Sequence, residues 1–390
     1  MYKKVVLKKN KEESILRKHP WIFSGAIDLI DDEIQDGDCV SVFNSKNQFL
    51  ANGHFQNATI AIRILSFVNI PLDEEFYIQK LKEAIQLRKD LGFFHAENNI
   101  CRIVHGEGDG LPGLIIDFYN GVAVIQCHSI GMYKSIDVIN KALQTNLKKQ
   151  LKAVYSKSSD TLLNKQITKD AFLFSEVKTP HRASENRINY AIDWITGQKT
   201  GFFIDQRENR KLLGKYAYGK KILNTFCYSG GFSLSALISG AKEVHSLDSS
   251  KKAIELTEQN IALNTFVGKH KSIVADAMEY MKNLDNSYDV IVLDPPAFAK
   301  HRDKRHQAIQ GYKRLNEMAM KAIKPGGIIF TFSCSQVVDK QMFNNTIIAA
   351  SITSGRNIRI LEQLHQPADH PISAFHPEGE YLKGIVIQVL

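Results

Sequence analysis

Five short apolar runs in the second half of the chain place the strongest constraint on its fold. They are separated by segments with helical spacing of apolar residues, and they lie at residues 222–224, 243–247, 272–274, 290–293 and 328–332. Strands that alternate with helices in this way are typical of a parallel sheet covered by helices on both faces. We therefore predict a Rossmann-like, doubly wound α/β domain over residues 186–390.

The first half of the chain indicates two smaller domains. Residues 1–72 carry short β-prone runs divided by turn signals such as Asp36-Gly37 and Asn52-Gly53, and this pattern predicts a small β-barrel. Residues 73–185 begin with a helical pattern and continue with apolar runs around glycine-rich turns, which predicts a small α+β domain. Three domains suit a chain of 390 residues, because one hydrophobic core rarely serves that length.

Composition narrows the functional classes. The chain has 50 Lys and Arg residues against 41 Asp and Glu, and its net charge of +9 favours a polyanionic partner such as nucleic acid. No stretch approaches the ~20 apolar residues that span a bilayer, and the N-terminus lacks the apolar core of a signal peptide. We therefore expect no membrane partner and a cytoplasmic location. The five cysteines contain no C-x-x-C pair, so we expect neither disulfides nor a metal site.

The end of the first predicted strand of the α/β domain carries a glycine turn that suits a nucleoside cofactor. Tyr228-Ser229-Gly230-Gly231-Phe232 opens a helix, and its glycines and free N–H groups let a ligand approach the backbone. The next strand ends at Asp248, whose carboxylate can accept hydrogen bonds from both ribose hydroxyls. This arrangement fits NAD and S-adenosylmethionine equally well.

Two further features favour S-adenosylmethionine over a dinucleotide. The turn lacks the third glycine that a pyrophosphate requires, and the next strand ends carry Asp276 and Asp294, which suit a cation better than a phosphate. Both Asp248 and Asp276 have an alternative role as helix caps, because aspartate is abundant at N-caps. The predicted cofactor is S-adenosyl-L-methionine, and its predicted contacts are Lys199, Thr200, Gln206, Phe226, Tyr228, Ser229, Gly230, Gly231, Asp248, Ser249, Asp276, Ala277 and Asp294.

A cysteine follows the last of the five runs. Ser333-Cys334-Ser335 places a thiol at the same sheet edge as Asp294. Such a cysteine usually only packs. However, methylation at carbon 5 of a pyrimidine needs a nucleophile that adds to carbon 6, and a thiolate is well suited to that step. We therefore predict Cys334 and Asp294 as the catalytic residues, with Asp294 holding the base, and we interpret Cys227 as a packing residue.

Four motifs together identify a family resemblance. They are Lys199-Thr200-Gly201-Phe202-Phe203-Ile204-Asp205-Gln206-Arg207, Tyr228-Ser229-Gly230-Gly231-Phe232, Asp294-Pro295-Pro296-Ala297-Phe298 and Ser333-Cys334-Ser335. They resemble the ribosomal large subunit methyltransferase I group, which makes 5-methylcytosine in large-subunit (23S) rRNA. Residues 17–23 and 105–113 resemble that group's N-terminal PUA RNA-binding barrel and its middle domain. The resemblance implies S-adenosylmethionine as cofactor, Cys334 as nucleophile, ribosomal RNA as partner and a homodimer.

One position departs from the pattern of related enzymes. Other RNA cytosine-5 enzymes have a second cysteine after the proline of the Asp294 motif, whereas this chain has Pro296. A single thiol must then both attack and leave, or another group must remove the ring proton. The Asp-Pro-Pro sequence also resembles the motif of enzymes that methylate exocyclic amino groups, which is the first alternative. An RNA-binding or assembly protein with a vestigial methyltransferase domain is the second, and a dehydrogenase is the least favoured.

Overall fold

The computed structural model describes residues 2–162, 168–299 and 301–390, and these form two compact units. The first unit comprises Met1–Ser184, Ile192–Ile204 and Ala368–Gly379. The second comprises Glu185–Ala191, Asp205–Pro367 and Glu380–Leu390. The three domain ranges 1–72, 73–185 and 186–390 stay predictions. No helix within the described ranges is both long enough and apolar enough to cross a bilayer.

The N-terminal part of the first unit is a six-stranded sheet. Its elements are β1 (Lys3–Leu7), α1 (Glu13–Leu16), β2 (Trp21–Phe23), β3 (Ile27–Ile30), β4 (Cys39–Phe43), β5 (Phe49–Phe55) and β6 (Ile60–Ser66). The strand order is β2-β6-β5-β4-β1-β3, in which only the β1–β4 pair is parallel. Alternate residues such as Val40, Val42, Ile62 and Ile64 are buried in its core, as expected for half-buried strands.

The rest of the first unit is built mainly around a five-stranded sheet. Its elements are α2 (Glu74–Asp90), β7 (Ile100–His105), β8 (Leu114–Tyr119), β9 (Val122–Cys127), α3 (Ile130–Lys134), α4 (Ile136–Leu147), β10 (Ala153–Ser156), β11 (Ala171–Phe174) and β12 (His181–Glu185). The strand order is β11-β10-β9-β8-β7. Helix α2 begins where the sequence predicts, because the Asp73 carboxylate caps it by accepting from Phe76 N.

The second unit contains the predicted parallel sheet. Its elements are β13 (Ile188–Ile192), α5 (Arg207–Lys215), β14 (Lys221–Thr225), α6 (Gly231–Ile238), β15 (Glu243–Asp248), α7 (Lys251–Ala262), β16 (Lys269–Val274), α8 (Ala277–Met281), β17 (Val290–Leu293), α9 (Arg305–Ala322), β18 (Ile328–Ser333), α10 (Lys340–Ser354), β19 (Ile358–His365) and β20 (Lys383–Val389). The strand order is β16-β15-β14-β17-β18-β20-β19. All five apolar runs are parallel strands, so the predicted α/β fold class is confirmed.

Two strands at the C-terminus extend this sheet beyond the prediction. Strand β20 pairs antiparallel with β18, and β19 pairs antiparallel with β20. Most residues of β19 are exposed, so the strand lacks the apolar run that would have indicated it. Short 3-10 helices occur at Ser24–Ala26, Gly106–Asp109, Lys148–Gln150, Ile204–Gln206, Arg302–Lys304 and Pro377–Gly379.

The two faces of the parallel sheet carry separate apolar layers. Leu223, Ile291 and Leu293 face the cluster that includes buried residues of α8, α9 and α10. Their neighbours Ile222 and Val292 face the opposite cluster, together with residues of α5 and α6. Because helices cover both faces, the edge formed by the carboxyl ends of the strands is the part of the sheet that is open to a ligand, as is usual in open α/β sheets.

Candidate active site

The loop after β14 holds an unusual backbone conformation. Phe226, Tyr228 and Gly230 have φ of 55°, 47° and 75°, all in the left-handed region. A Cβ on Gly230 would lie 2.8 Å from Thr257 Cγ2, so only glycine fits there. Thr257 Oγ1 donates to Tyr228 O (3.0 Å), and Asn260 Nδ2 donates to Ser229 O (2.9 Å). Strain of this kind persists where surrounding contacts hold it, and it often marks a ligand site.

The Asp248 carboxylate supports the same loop. Its Oδ2 accepts from Tyr228 N (3.1 Å), and its Oδ1 accepts from Ser250 N (2.9 Å). The side chain of Ser250, not that of Asp248, caps helix α7 by accepting from Ala253 N. Ser249 is exposed beside them. Asp248 therefore lies at the predicted strand end and orients the glycine loop, as a ribose-binding residue would.

Asp276 caps helix α8. Its Oδ1 accepts from Met278 N (2.9 Å) and from Glu279 N (3.0 Å), and its side chain is exposed. Ala277, the next residue, is buried. The capping role given above as an alternative is thus present in the structure. A contact with the adenine amino group stays a prediction for Asp276.

Asp294 follows β17 directly and is oriented by a buried amide. Gln206 Nε2 donates to Asp294 Oδ1 (2.9 Å), and Asn209 Nδ2 donates to Gln206 Oε1 (2.7 Å). Gln206 and Asn209 are buried, whereas Asp294 is only partly buried. The second hydrogen bond defines which end of the Gln206 amide faces Asp294. The carboxylate is therefore held in place and remains accessible from the sheet edge.

Cys334 lies at the end of the strand next to Asp294. Strands β17 and β18 are parallel neighbours, with Leu293 opposite Thr331. Cys334 packs against the same apolar cluster as Val292, two residues before Asp294. The two site residues therefore lie at the same edge of the sheet. Cys334 as a residue is only partly buried, whereas Cys101, Cys127 and Cys227 are buried.

Hydrogen bonds tie the loops after β17 and β18 together. Ser335 Oγ donates to Ala299 O (2.6 Å), and Lys383 Nζ donates to Ser335 O (2.8 Å). Ser335 and Lys383 are buried. These contacts hold the loop that carries Cys334 against the loop that begins with Asp294. They limit the movement of the thiol relative to the carboxylate.

Two ionisable residues near Cys334, Lys383 and Tyr312, were not among the predicted site residues. Burial lowers the pKa of Lys383, while the charge of a nearby Cys334 thiolate acts in the opposite direction. Burial raises the pKa of Tyr312 to about 12, and the charges of Cys334 and Asp294 act in the same direction. Lys383 is on β20 and Tyr312 is on α9, so no local motif associates either residue with the site.

Two other cysteines, Cys127 and Cys227, are buried more deeply than Cys334. Burial raises the pKa of Cys227 and that of Cys127 to about 12. The Cys227 sulfur contacts Thr257 Oγ1 at 3.6 Å beneath the glycine loop. A protonated, buried thiol is a poor nucleophile, which agrees with the interpretation of Cys227 as a packing residue.

Lys199 and Thr200 belong to the first unit, where their observed contacts are internal. Thr200 Oγ1 donates to Asp117 Oδ2 (2.6 Å) and lies 2.9 Å from the Tyr119 hydroxyl. The exposed Lys199 places Nζ 4.6 Å from the centre of the Phe203 ring. Their roles in cofactor binding stay predictions, and the remaining predicted contacts lie in the second unit.

The residues of the second unit fit S-adenosylmethionine. Thr257 excludes a side chain at Gly230, which keeps the left-handed turn of the glycine loop, and helix α6 begins there without a side-chain cap. Its N–H groups suit the carboxylate of the methionine portion. Asp248, at the next strand end, suits a ribose.

Comparison with known proteins agrees with this geometry. Residues 5–67 match the PUA-like domain family, and residues 101–378 match the S-adenosylmethionine-dependent methyltransferase family. The ribosomal RNA large subunit methyltransferase I of Tolumonas auensis is 36% identical over 399 residues, with 99% of each chain covered. The protein of the same name from Aeromonas hydrophila is 37% identical, with 98% of each chain covered.

Solved structures share the fold. A Streptococcus mutans protein described as a SAM-dependent methyltransferase has a TM-score of 0.84 at 21% identity and covers 99% of this chain and 100% of its own. Another methyltransferase structure, a complex with SAH, has a TM-score of 0.85 at 22% identity with the same coverage. The predicted PUA-like domain and the predicted cofactor, S-adenosylmethionine, are confirmed. The chain belongs to the ribosomal RNA large subunit methyltransferase I family of S-adenosylmethionine-dependent methyltransferases.

Proposed function

We propose that this enzyme makes 5-methylcytosine in large-subunit (23S) rRNA through a covalent adduct between Cys334 and carbon 6 of the base. The observation that carries the proposal is the position of the partly buried Cys334, which lies at the end of β18 beside the β17 end that bears Asp294. An RNA target is supported by the net charge of +9, by the PUA-like domain and by the names of the relatives.

The proposed chemistry begins at Cys334. Its thiolate forms a bond to carbon 6, and the electrons of the 5,6 double bond make carbon 5 nucleophilic. Asp294 accepts a hydrogen bond from the 4-amino group and, when protonated, stabilises charge at the ring nitrogen beside it. The cofactor supplies an electrophilic methyl group, which carbon 5 takes. Loss of the proton from carbon 5 then restores the double bond and expels the Cys334 thiolate.

The buried Lys383 ammonium supports the first and last steps. A cation beside a thiol favours the thiolate, both as attacking and as leaving group. Because Pro296 occupies the position of a second cysteine, the proton acceptor is a group other than a thiol. Cys334 therefore both attacks the base and leaves it.

A mechanism-based RNA tests the adduct. In 5-fluorocytidine the fluorine at carbon 5 cannot leave as a cation, so methylation stops at the covalent complex. We expect wild-type enzyme with S-adenosylmethionine to form a complex with this RNA that survives denaturing electrophoresis, and Cys334→Ala to form none. Cys39→Ala is the matched control, because Cys39 is also a partly buried free thiol but lies on β4. An adduct that persists in Cys334→Ala would refute the covalent route.

Methylation of an exocyclic amino group is the second candidate. It is supported by the Asp294-Pro295-Pro296 sequence and by the hydrogen bond that orients Asp294. That reaction needs no thiol, so activity would survive Cys334→Ala and collapse in Asp294→Ala. Chromatography and fragmentation of the methylated nucleoside distinguish a ring methyl from an amino methyl. A vestigial methyltransferase domain would give no methylated product in either assay.

We also propose that the enzyme is a homodimer and that it is located in the cytoplasm. The family resemblance supports a homodimer, which light scattering of the purified protein would detect as twice the chain mass of 44.0 kDa. A cytoplasmic location follows from a ribosomal RNA substrate. Mass mapping of 23S rRNA from cells with and without the chain would identify the modified nucleotide.

A further inference from the structure

Three metal-ligating side chains meet in the first unit, outside the residues assigned to catalysis. His19 Nε2 lies 3.9 Å from Glu378 Oε2, and His376 Nε2 lies 3.8 Å from the same oxygen. One donor atom of each residue lies within 4.8 Å of the other two. His19 precedes β2, whereas His376 and Glu378 lie at the 3-10 turn Pro377–Gly379. Residues far apart in sequence thus converge on one point.

His376 is buried and its imidazole nitrogens make no hydrogen bond within the described residues. Its side chain is 3% exposed, and neither of its ring nitrogens has a hydrogen-bond partner among the described residues. Leaving a buried polar group unsatisfied costs on the order of 1–3 kcal/mol. A cation bound at Nε2 would remove that cost for one of the two nitrogens. This buried imidazole is independent support for a ligand at the cluster.

The surroundings of His19 orient its ring towards the cluster. Trp21 N donates to His19 Nδ1 (3.2 Å), and the same ring nitrogen lies 3.3 Å from Trp21 O. Nε2 is then the nitrogen that faces Glu378. A cation at Nε2 requires the ring proton on Nδ1, which would then donate to Trp21 O, as is common for metal-binding histidines, and would no longer accept from Trp21 N. The backbone therefore fixes the orientation of the ring, with Nε2 towards the cluster.

We propose that His19, His376 and Glu378 bind a divalent transition-metal ion, with zinc as the metal that the donor set favours. Two imidazoles and one carboxylate form a nitrogen and oxygen set that zinc accepts at about 2 Å, with water completing the coordination. Glu378 is exposed, so its side chain can rotate to shorten the distances to both imidazoles. The ion would link the N-terminal sheet to the segment Ala368–Gly379 of the same unit.

The fluorescence of Trp21 can report binding of an ion at this site. The Trp21 ring centre lies 4.2 Å from that of His376, and Trp21 Nε1 donates to Glu107 Oε1 (2.8 Å). Only one other tryptophan, Trp194, is present in the chain. A paramagnetic ion such as cobalt(II) at the cluster should therefore quench much of the tryptophan fluorescence, and its visible absorption would report the coordination.

The test uses the full chain, prepared without a histidine tag and stripped with a chelator. Zinc chloride is titrated by calorimetry, and cobalt(II) is titrated by absorption and tryptophan fluorescence. We expect one ion per chain and a rise in Tm with zinc, because an ion that binds only the folded state stabilises it. Glu378→Gln and His376→Gln should each weaken zinc binding about 10–100-fold or more and remove the rise in Tm.

Two matched variants control for adventitious binding at surface groups. His95→Gln and Glu75→Gln remove an exposed histidine and an exposed carboxylate elsewhere in the same unit, and they should leave the affinity unchanged. Glu378 is exposed, so its variant tests the site even if His376→Gln fails to fold. Absence of zinc binding to the wild-type chain would overturn the proposal, and so would equal affinity in wild type and Glu378→Gln.

Discussion

Gln206 donates a 2.9 Å hydrogen bond from Nε2 to Oδ1 of Asp294, although the two residues are 88 positions apart in the chain. Gln206 precedes α5 and Asp294 follows β17, so the contact connects two motifs that the sequence presents separately. It gives the proposed base-binding carboxylate a defined orientation. Both residues were predicted from their motifs, but the contact between them was not.

Removal of this hydrogen bond should reduce activity, and loss of the buried acceptor of Asn209 Nδ2 should also lower the free energy of unfolding by about 1–3 kcal/mol. A hydrogen bond to a charged group contributes about 1.5–3 kcal/mol, so we expect Gln206→Ala to lower kcat/KM for RNA methylation about 10–100-fold. Steady-state assays with S-adenosylmethionine and rRNA measure the effect. Gln341→Ala is the control, because Gln341 donates a similar amide hydrogen bond to Asn345 on the exposed face of α10. Equal activity of the two variants would contradict this role for Gln206.

Replacement of Lys383 should shift the pH dependence of adduct formation. Burial lowers the pKa of Lys383, and the Cys334 thiolate counters this by favouring the ammonium, so the same ammonium favours the thiolate. Without it, the thiolate forms only at higher pH. We expect Lys383→Met to move the rate profile for the 5-fluorocytidine adduct upwards by about one pH unit.

A charge-conserving change at Lys383 separates this effect from a packing defect. Lys383→Arg should keep most of the wild-type pH profile, because the cation is retained. Lys340→Met, at the exposed start of α10, should leave the profile unchanged. If Lys383→Met slowed the reaction equally at every pH, the lysine would be structural and would not act on the thiol.

Gly230 should tolerate no side chain. Gly230→Ala combines a left-handed φ of 75° with a Cβ only 2.8 Å from Thr257 Cγ2. We expect it to lower the free energy of unfolding by about 1–3 kcal/mol and to weaken binding of S-adenosylmethionine. Chemical denaturation and calorimetry measure the two effects.

Gly326 provides a matched comparison for Gly230. It has a similar φ of 79°, but an added Cβ would meet nothing within 4 Å. Gly326→Ala should therefore show the backbone cost alone and keep cofactor affinity. Thr257→Ser removes the methyl group that the new Cβ would meet, so it should partly restore Gly230→Ala. Equal behaviour of the two glycine variants would argue against the steric contact.

His54 should make the first unit sensitive to acid. Burial, followed by the charges of Arg63 and Lys134, lowers the pKa of His54 to about 4. An unfolded chain binds this proton near pH 6.5. The contribution of His54 to stability is therefore complete above about pH 6.5 and is lost as pH falls towards 4. The expected loss is about 3 kcal/mol, because each pKa unit corresponds to about 1.4 kcal/mol.

Urea unfolding at several pH values tests this expectation. Between about pH 7 and pH 4.5 the free energy of unfolding should fall less steeply in His54→Gln than in the wild-type chain. Burial also lowers the pKa of His128 to about 4. The free energy of unfolding of His54→Gln should therefore still depend on pH, but less than that of the wild-type chain. His95→Gln, at an exposed position, should behave as wild type. An unchanged slope in His54→Gln would show that His54 is not the group responsible.

Local patterns were sufficient to predict the five parallel strands and the residues that end them. Apolar runs must be buried, and runs that alternate with helical segments pair in parallel. Asp248, Asp294 and Cys334 could be assigned to one sheet edge because each lies at or directly after a strand end. Strand β19 could not be predicted in the same way, since it is largely exposed and pairs with a strand later in the chain. Strand β20 is a buried apolar run, and only its antiparallel pairing with β18 and β19 depends on the tertiary structure.

The sequence by itself determined the fold class, the family and the edge of the sheet at which Asp248, Asp294 and Cys334 lie, because these follow from periodicity and short motifs. Only the tertiary structure decided that Gln206 orients Asp294, that Lys383 and Tyr312 lie near Cys334, and that His19 approaches His376. The physical reason is that hydrogen bonds and charges act over a few ångströms of space. Residues that are tens or hundreds of positions apart come within that range only after the chain has folded.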